Sequence, residues 1–380
     1  MNDVISLHRA EYSADPEKVV SAPGVVTLMG EYTEQSEGFV LPVAINRTIT
    51  VAVSRRKDNS LRFYAANLNE RKRTSLSNLK YKREDRWANY LKGVLYGLSQ
   101  LGCPVRGLNM TVSGDVPSGI GLASSAAMTV AATVAAKELF EFSCTPMQVV
   151  DCARRAETEF MNIPTGMVHP FVAYNARKGY ALLLDTRSLE FRPVPLHMGD
   201  VRLLITDSRV PQNVSETELA QRNSDCDQCV EILAKRKPGT TLRDFSPSDL
   251  RDSLGTIPER IRRRCLHVVE ENQRVHDAEL ALRQKNFQTL GKLMNRSHES
   301  LRDLFEVSCP ELDWLVKRSW ETEGVFGSRL TGTGFGGCTV TLLRADAVEK
   351  YQKRLDDYER IFGFKAEAFV CEPSDGARIL

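Results

Sequence analysis

The segment Gly114-Asp-Val-Pro-Ser-Gly-Ile-Gly-Leu-Ala-Ser-Ser125 carries two glycines and a closing pair of serines just ahead of an alanine-rich run. Gly119 and Gly121 can take backbone angles closed to other residues, and they let a ligand approach the main chain. Ser124 and Ser125 fall where the following helix begins. Their hydroxyls can cap it, and the free N–H groups of a first helical turn make an anion site. The chemistry such a loop offers is the holding of phosphates. Taken alone, it is equally a tight strand-to-helix turn with capping serines. It is not a Walker A loop, because no Gly-Lys-Ser/Thr follows, and it lacks the G-x-G-x-x-G of a dinucleotide fold.

Two further segments bear on that choice. Ser21-Ala-Pro-Gly-Val-Val-Thr-Leu-Met-Gly-Glu-Tyr-Thr-Glu34 stands near the N-terminus, followed by Gly38-Phe-Val-Leu-Pro42. Ser328-Arg-Leu-Thr-Gly-Thr-Gly-Phe-Gly-Gly-Cys-Thr-Val340 stands near the C-terminus. It gathers Gly332, Gly334, Gly336 and Gly337 before a strand-like run. A surface turn rarely needs so many glycines, whereas a loop packed on another backbone or a ligand does. The close cysteine pair Cys226-Asp-Gln-Cys229 lies in a polar helical stretch with no second pair nearby, and it reads as ordinary thiols.

The elements that must position these residues are of both kinds. Strand-like runs rich in Val, Ile, Leu and Thr occur at Ile49 to Val53, Leu108 to Val112, Tyr180 to Leu184, Val201 to Thr206 and Thr339 to Leu343. Helical periodicity covers Tyr90 to Leu101, Ala126 to Phe140, Val149 to Phe160, Ala278 to Glu306 and Val348 to Tyr358. Strands and helices mix without strict alternation, so the expected class is α+β. A chain of 380 residues suggests two domains, with a boundary near residue 200. The basic run Arg71 to Arg86 reads as a solvated surface segment, an acid-binding patch being the alternative.

Charge and composition exclude some classes. Hydrophobic residues at 42% and charged residues at 26% are an ordinary globular balance. A net charge of +2 gives no reason to expect a nucleic-acid or membrane partner. No apolar run approaches the ~18 residues of a membrane span. No signal peptide is read at the N-terminus, and the nine cysteines have no framework spacing. Reduced thiols in a cytoplasmic protein, a monomer or weak oligomer, are expected.

The three glycine-bearing segments, in this order, resemble the three motifs of the GHMP small-molecule kinases, and most of all the galactokinase branch. The likeness covers nearly the whole chain. It extends to Trp87-Ala-Asn-Tyr-Leu-Lys-Gly93, Leu184-Asp-Thr-Arg-Ser-Leu189, Met294-Asn-Arg-Ser-His-Glu-Ser-Leu-Arg-Asp303, Glu306-Val-Ser-Cys-Pro-Glu-Leu-Asp313 and Pro373-Ser-Asp-Gly-Ala-Arg378. The resemblance implies a two-domain α+β fold. Residues 1–198 would form a ribosomal-protein-S5-domain-2-like N-terminal domain with phosphate loop 114–125. Residues 199–380 would form a ferredoxin-like C-terminal domain with glycine-rich motif 328–340.

It also implies ATP and Mg²⁺ as cofactors and a small-molecule sugar acceptor. Gly119, Gly121, Ser124 and Ser125 match the loop that wraps the ATP phosphates, with Ala123 in place of the first of three usual serines. Trp87 and Tyr90 match part of the adenine pocket, core packing being the other reading of both. Ser125 and Glu157 match the Mg²⁺ ligands, and a hydroxyl plus a carboxylate suits a hard cation. Glu31, Tyr32, Glu34, Gly332 and Gly334 fall in the substrate-binding motifs.

The departures concern the acceptor side. Galactokinases usually read Ala-Pro-Gly-Arg, and the arginine supports the reacting phosphoryl group; here the fourth residue is Val25. The family's aspartate base lies in Gly-Ile-Met-Asp-Gln; here the stretch is Gly166-Met-Val-His-Pro170, with His169 in its place. Glu-His-Thr-Asp becomes Glu31-Tyr-Thr-Glu34, and a tyrosine near the sugar aligns with Leu219. By analogy with arginine fingers, losing such an arginine costs roughly 10³–10⁵ in rate. Losing a general base costs roughly 10²–10⁴. A histidine accepts a proton at neutral pH, so His169 can replace the aspartate. Three readings follow: an ATP-dependent kinase acting on a sugar hydroxyl, at the anomeric carbon; a catalytically impaired nucleotide- or sugar-binding homologue serving as sensor or regulator; and an enzyme acting on a non-sugar alcohol.

Overall fold

Proline and glycine in the middle of an apolar run ordinarily end a strand. In the computed structural model, which describes residues 4–212 and 216–380, Lys18–Met29 is nonetheless one strand, β1, with Pro23 and Gly24 inside it. It pairs antiparallel with β2 (Phe39–Arg55), and the register shifts between Pro23 and Gly24. A bulge is where a strand tolerates a residue that has no N–H for the ladder. The sequence reading saw only Ile49 to Val53 of this hairpin.

β1 and β2 lie in a sheet with β3 (Ser60–Ala65), β4 (Glu70–Ser75), β5 (Leu108–Gly114), β6 (Tyr180–Asp185) and β7 (Phe191–Pro195). The β3–β5 pair is parallel and the others are antiparallel. A second sheet holds β8 (Val201–Asp207), β9 (Val325–Thr331), β10 (Cys338–Arg344) and β11 (Glu367–Cys371), in the order β11-β8-β10-β9. Its strands thus run fourth, first, third, second, all antiparallel, which is the split β-α-β arrangement of a ferredoxin-like unit. The chain end does not stay with that unit. β12 (Arg378–Ile379) pairs with Val20 and Ser21 of β1 in the first sheet.

Helix α1 (Val4–Tyr12) precedes β1, and α2 (Ala88–Gln100), α3 (Ser124–Leu139), α4 (Pro146–Thr158) and α5 (Val168–Asn175) pack on the first sheet over a common apolar core. The rest are α6 (Glu216–Leu233), α7 (Pro247–Arg251), α8 (Glu259–Arg283), α9 (Phe287–Ser300), α10 (Pro310–Trp320) and α11 (Val348–Phe362). The single helix expected over Ala278 to Glu306 is two helices and a π-helical turn at Leu301–Phe305. Asn286 divides them: its side chain accepts from the Thr289 N–H at 3.0 Å and caps a new start. A second apolar cluster joins the halves, with Val26, Leu28 and Leu41 of the first sheet beside Leu203, Ile205 and Val340 of the second. Cys229 and Cys265 are buried in a third, between α6 and α8. Among the described residues no helix is long and apolar enough to cross a membrane.

Candidate active site

The loop after β5 is held from below and open above. Val116, Ile120 and Leu122 anchor it in the cluster between the sheets. The Leu122 carbonyl accepts from Val25 N at 3.1 Å, and a Cβ at Gly24 would stand 3.0 Å from that carbonyl. This contact is why glycine precedes Val25. Gly119 and Gly121 sit at φ +75° and +88°, the left-handed region that favours glycine. The serines do not cap the helix as expected. Ala123, at φ +56°, occupies the N-cap without a side-chain hydrogen bond, and Ser124 and Ser125 are the first two helical residues. The amides of that first turn therefore stay free of a side-chain acceptor, as anion binding requires.

Beside the loop lies a cavity of about 650 Å³. Gly119, Ser124, Ser125, Trp87 and Tyr90 line it together, and Gly121 does not. The Trp87 indole N–H donates to Glu70 at 2.9 Å, which fixes the ring on the cavity wall. Leu68 and Tyr81 also line the cavity, although 58% and 48% exposed, so two large apolar side chains await a cover. Tyr81 and Arg86 bring the end of the basic run into the wall. The buried Lys92 holds that stretch by donating to the Lys80 carbonyl at 2.7 Å and to Asp85 at 2.8 Å.

Glu157 projects from α4 to the Ser125 hydroxyl. It is 5% exposed, and burial pushes its carboxyl up to about 7 against the Ser125 hydrogen bond. A desolvated carboxylate beside a hydroxyl and a phosphate loop is a donor set that fits a hard cation. No group of three or more His, Cys, Asp or Glu poised for a metal occurs among the described residues. Mg²⁺ keeps water and phosphate oxygens among its ligands and does not require such a cage.

The acceptor-side residues form two clusters. In the first, Glu31 accepts from Gly332 N at 2.8 Å and Thr331 Oγ1 at 3.0 Å, and its Oε1 lies 3.3 Å from a fully buried Arg329. Burial pushes the Glu31 carboxyl up, and Arg329 opposes the shift. Gly332 also meets the phosphate loop: its Cβ, if present, would lie 2.9 Å from Gly121 Cα. Gly334 turns away, against the Val307 carbonyl. Tyr32, at φ +67°, donates from its hydroxyl to the Thr333 carbonyl at 2.5 Å. In the second cluster, Glu34 accepts from Met167 N at 2.5 Å and Val168 N at 3.1 Å, on the first turn of α5 where His169 stands. Burial lowers the His169 pKa and raises that of Glu34, and each charge opposes the shift of the other. Val25 contributes only its backbone, because its side chain is fully buried in the first core. Leu219 lies on α6, outside both clusters.

The Met294 to Asp303 stretch explains itself in space. Asn295 accepts from Ser328 N at 2.9 Å, and His298 accepts from Leu330 N at 3.3 Å. Ser297 donates to Glu271 at 2.8 Å, which in turn accepts from Gly30 N at 2.9 Å. Ser300 bonds His267, whose other ring nitrogen contacts the Glu31 carbonyl at 3.1 Å. Through β9 on one side and α8 on the other, α9 thus braces the segments that carry Gly30 and Gly332. Sequence reasoning missed His267, Glu271 and Arg329 as supports, since nothing local marks a residue whose partner is hundreds of positions away.

A ferredoxin-like half joined to a mixed sheet, with an uncapped helix start over a cavity in the first half, defines a small-molecule kinase of the GHMP type. The galactokinase galactose-binding signature matches residues 6–55, the GHMP kinases N-terminal domain residues 89–175 and the GHMP kinases C-terminal domain residues 278–359. A galactokinase of Roseiflexus sp. strain RS-1 is 38% identical, covering 96% of this chain and 93% of its own. A galactokinase of Bacillus subtilis strain 168 is 35% identical, covering 94% and 93%. The crystal structure of Lactococcus lactis galactokinase complexed with galactose superposes with a TM-score of 0.93 at 27% identity, covering 99% of both chains. The chain belongs to the galactokinase family.

Proposed function

We propose that this protein transfers the terminal phosphoryl group of ATP to a hydroxyl of a hexose or hexose derivative, at the anomeric carbon, with His169 as proton acceptor. The observation that carries the reading is that Glu34 docks on the Met167 and Val168 amides at the start of α5, the turn that carries His169. Family membership and the full-length similarity to galactokinases support a sugar kinase over a non-catalytic homologue.

The chain's own groups divide the work. The free amides at the start of α3 and the Gly119–Gly121 turn hold phosphates. Trp87, Tyr90, Leu68 and Tyr81 cover a base. Ser125 and Glu157 would hold Mg²⁺, which supplies charge neutralisation on the phosphates. His169 takes the proton of the attacking hydroxyl as its oxygen bonds to phosphorus and the bond to ADP breaks. The Glu34 carboxylate stabilises the imidazolium that forms.

Mg-ATP consumption measured across hexoses, hexosamines and pentoses, galactose first, tests this. Turnover with at least one sugar, abolished in His169→Ala, is expected. ATP binding without turnover on any sugar would instead establish the non-catalytic homologue.

A further inference from the structure

After β8, residues 208–212 run past the place where the two glycine loops meet. Hydrogen bonds hold the chain there from Ser208 to Val210. Ser208 donates to the Gly337 carbonyl from N at 2.9 Å and from Oγ at 2.6 Å, and Gly337 N donates back to Val210 at 2.9 Å. The Tyr358 hydroxyl donates to the Ser208 carbonyl at 2.6 Å. Pro211 fixes the next backbone angle. A Cβ at Gly336 would stand 2.5 Å from the Val210 carbonyl, so the glycine admits the chain there.

This segment delivers the Gln212 carboxamide to that meeting place. Its Nε2 lies 3.0 Å from where a Cβ would stand on Gly121 of the phosphate loop, 3.3 Å from that on Gly332 and 2.4 Å from that on Gly337. Gly332 N is the donor that holds Glu31. The amide thus stands where Gly121 of the phosphate loop meets Gly332, whose N–H holds Glu31. Nε2 is buried, and it has no hydrogen-bond partner. Leaving a buried N–H unpaired is costly, so such a group calls for an acceptor supplied from outside the chain.

We propose that Gln212 donates a hydrogen bond from Nε2 to a non-bridging oxygen of the terminal phosphoryl group of the bound nucleotide. The inference rests on the reading of the loop as the phosphate site. A fixed neutral dipole aimed at the phosphoryl stabilises charge without reorganising, and removing one such donor costs on the order of 10²-fold in kcat.

The test compares ADP with the non-hydrolysable triphosphate AMPPNP, both with Mg²⁺, in wild type, Gln212→Leu and Gln212→Glu. Wild type should prefer the triphosphate. Both variants should bind ADP as wild type does, which reports their folding. They should lose roughly tenfold of the triphosphate preference and on the order of 10²-fold in kcat, the glutamate losing more because it turns a carboxylate toward phosphate. An unchanged preference in both variants overturns the proposal. So does equal weakening of ADP and AMPPNP, which marks a packing role only. Wild-type protein that binds neither nucleotide defeats the phosphate-loop reading itself, and this proposal with it.

Discussion

The Glu34 carboxylate and the His169 imidazole share the first turn of α5: Glu34 takes the Met167 and Val168 amides, and its charge draws a proton toward His169. A carboxylate one methylene longer than aspartate reaches that helix end and completes the pair. The two positions at which the sequence departs from the galactokinase pattern are therefore electrostatically coupled.

Removing the imidazole should cost the most. His169→Ala should lower kcat roughly 10²–10⁴-fold while leaving ADP binding intact. Burial keeps the His169 pKa below its ordinary 6.5, so the acid limb of kcat/KM should lie below pH 6.5. Glu34→Gln removes the charge that raises this pKa, and the limb should move to still lower pH. A limb that stays in place in Glu34→Gln would show that the pair does not govern proton transfer.

Glu157 makes stability depend on pH and metal. Its carboxyl ordinarily titrates near 4.5, and in the fold near 7, so the folded protein keeps a proton that the unfolded chain has lost. Its stabilising contribution is complete below about pH 4.5 and is lost as pH rises through 7. Thermal unfolding of metal-free protein should show a fall in Tm across that window, absent in Glu157→Gln. On the proposed role of Glu157 as a Mg²⁺ ligand, the metal with ADP takes the ionised form, so it should stabilise wild type more at pH 8 than at pH 6 and Glu157→Gln much less at either.

The two glycine loops should be intolerant of a single methyl group. Gly121→Ala forces a left-handed backbone on alanine, about 1–2 kcal/mol, and sets a Cβ 3.1 Å from the Thr331 carbonyl. Gly332→Ala meets Gly121 Cα at 2.9 Å. Each variant should weaken nucleotide binding, measured by calorimetry, although neither residue lines the cavity. Gly119→Ala meets nothing within 4 Å and should pay the backbone cost alone.

Arg329 is the largest fully buried side chain and pairs with Glu31 across the sheets. Arg329→Met leaves a buried carboxylate uncompensated, and urea unfolding should record a loss of about 3–5 kcal/mol. Adding Glu31→Gln should recover part of it. Equal losses in the single and double variants would mean that Arg329 acts through packing alone.

Local signals marked much of what the structure brings together. That Gly119, Ser124, Ser125, Trp87 and Tyr90 gather round one cavity, with Glu157 reaching Ser125, was legible because the loop and the first turn of α3 are marked by residue types at short spacing. The α+β class was legible from mixed periodicities. Long β1 was not, because Pro23 and Gly24 imitate a loop until a partner strand supplies the bulge. Nor was the cap, since only the backbone angle of Ala123 shows that the serines had moved inside the helix.

What the sequence determined by itself was the list of reactive groups and their family pattern. Tertiary structure decided which of them meet. It set Gly332 on Gly121, carried Gln212 onto that seam and placed Glu34 beside His169, 135 positions apart, by docking a loop on the start of α5. The physical reason is that hydrogen bonding and electrostatics act over a few ångströms of space, and only the packed sheets fix that spacing between residues so distant in the chain.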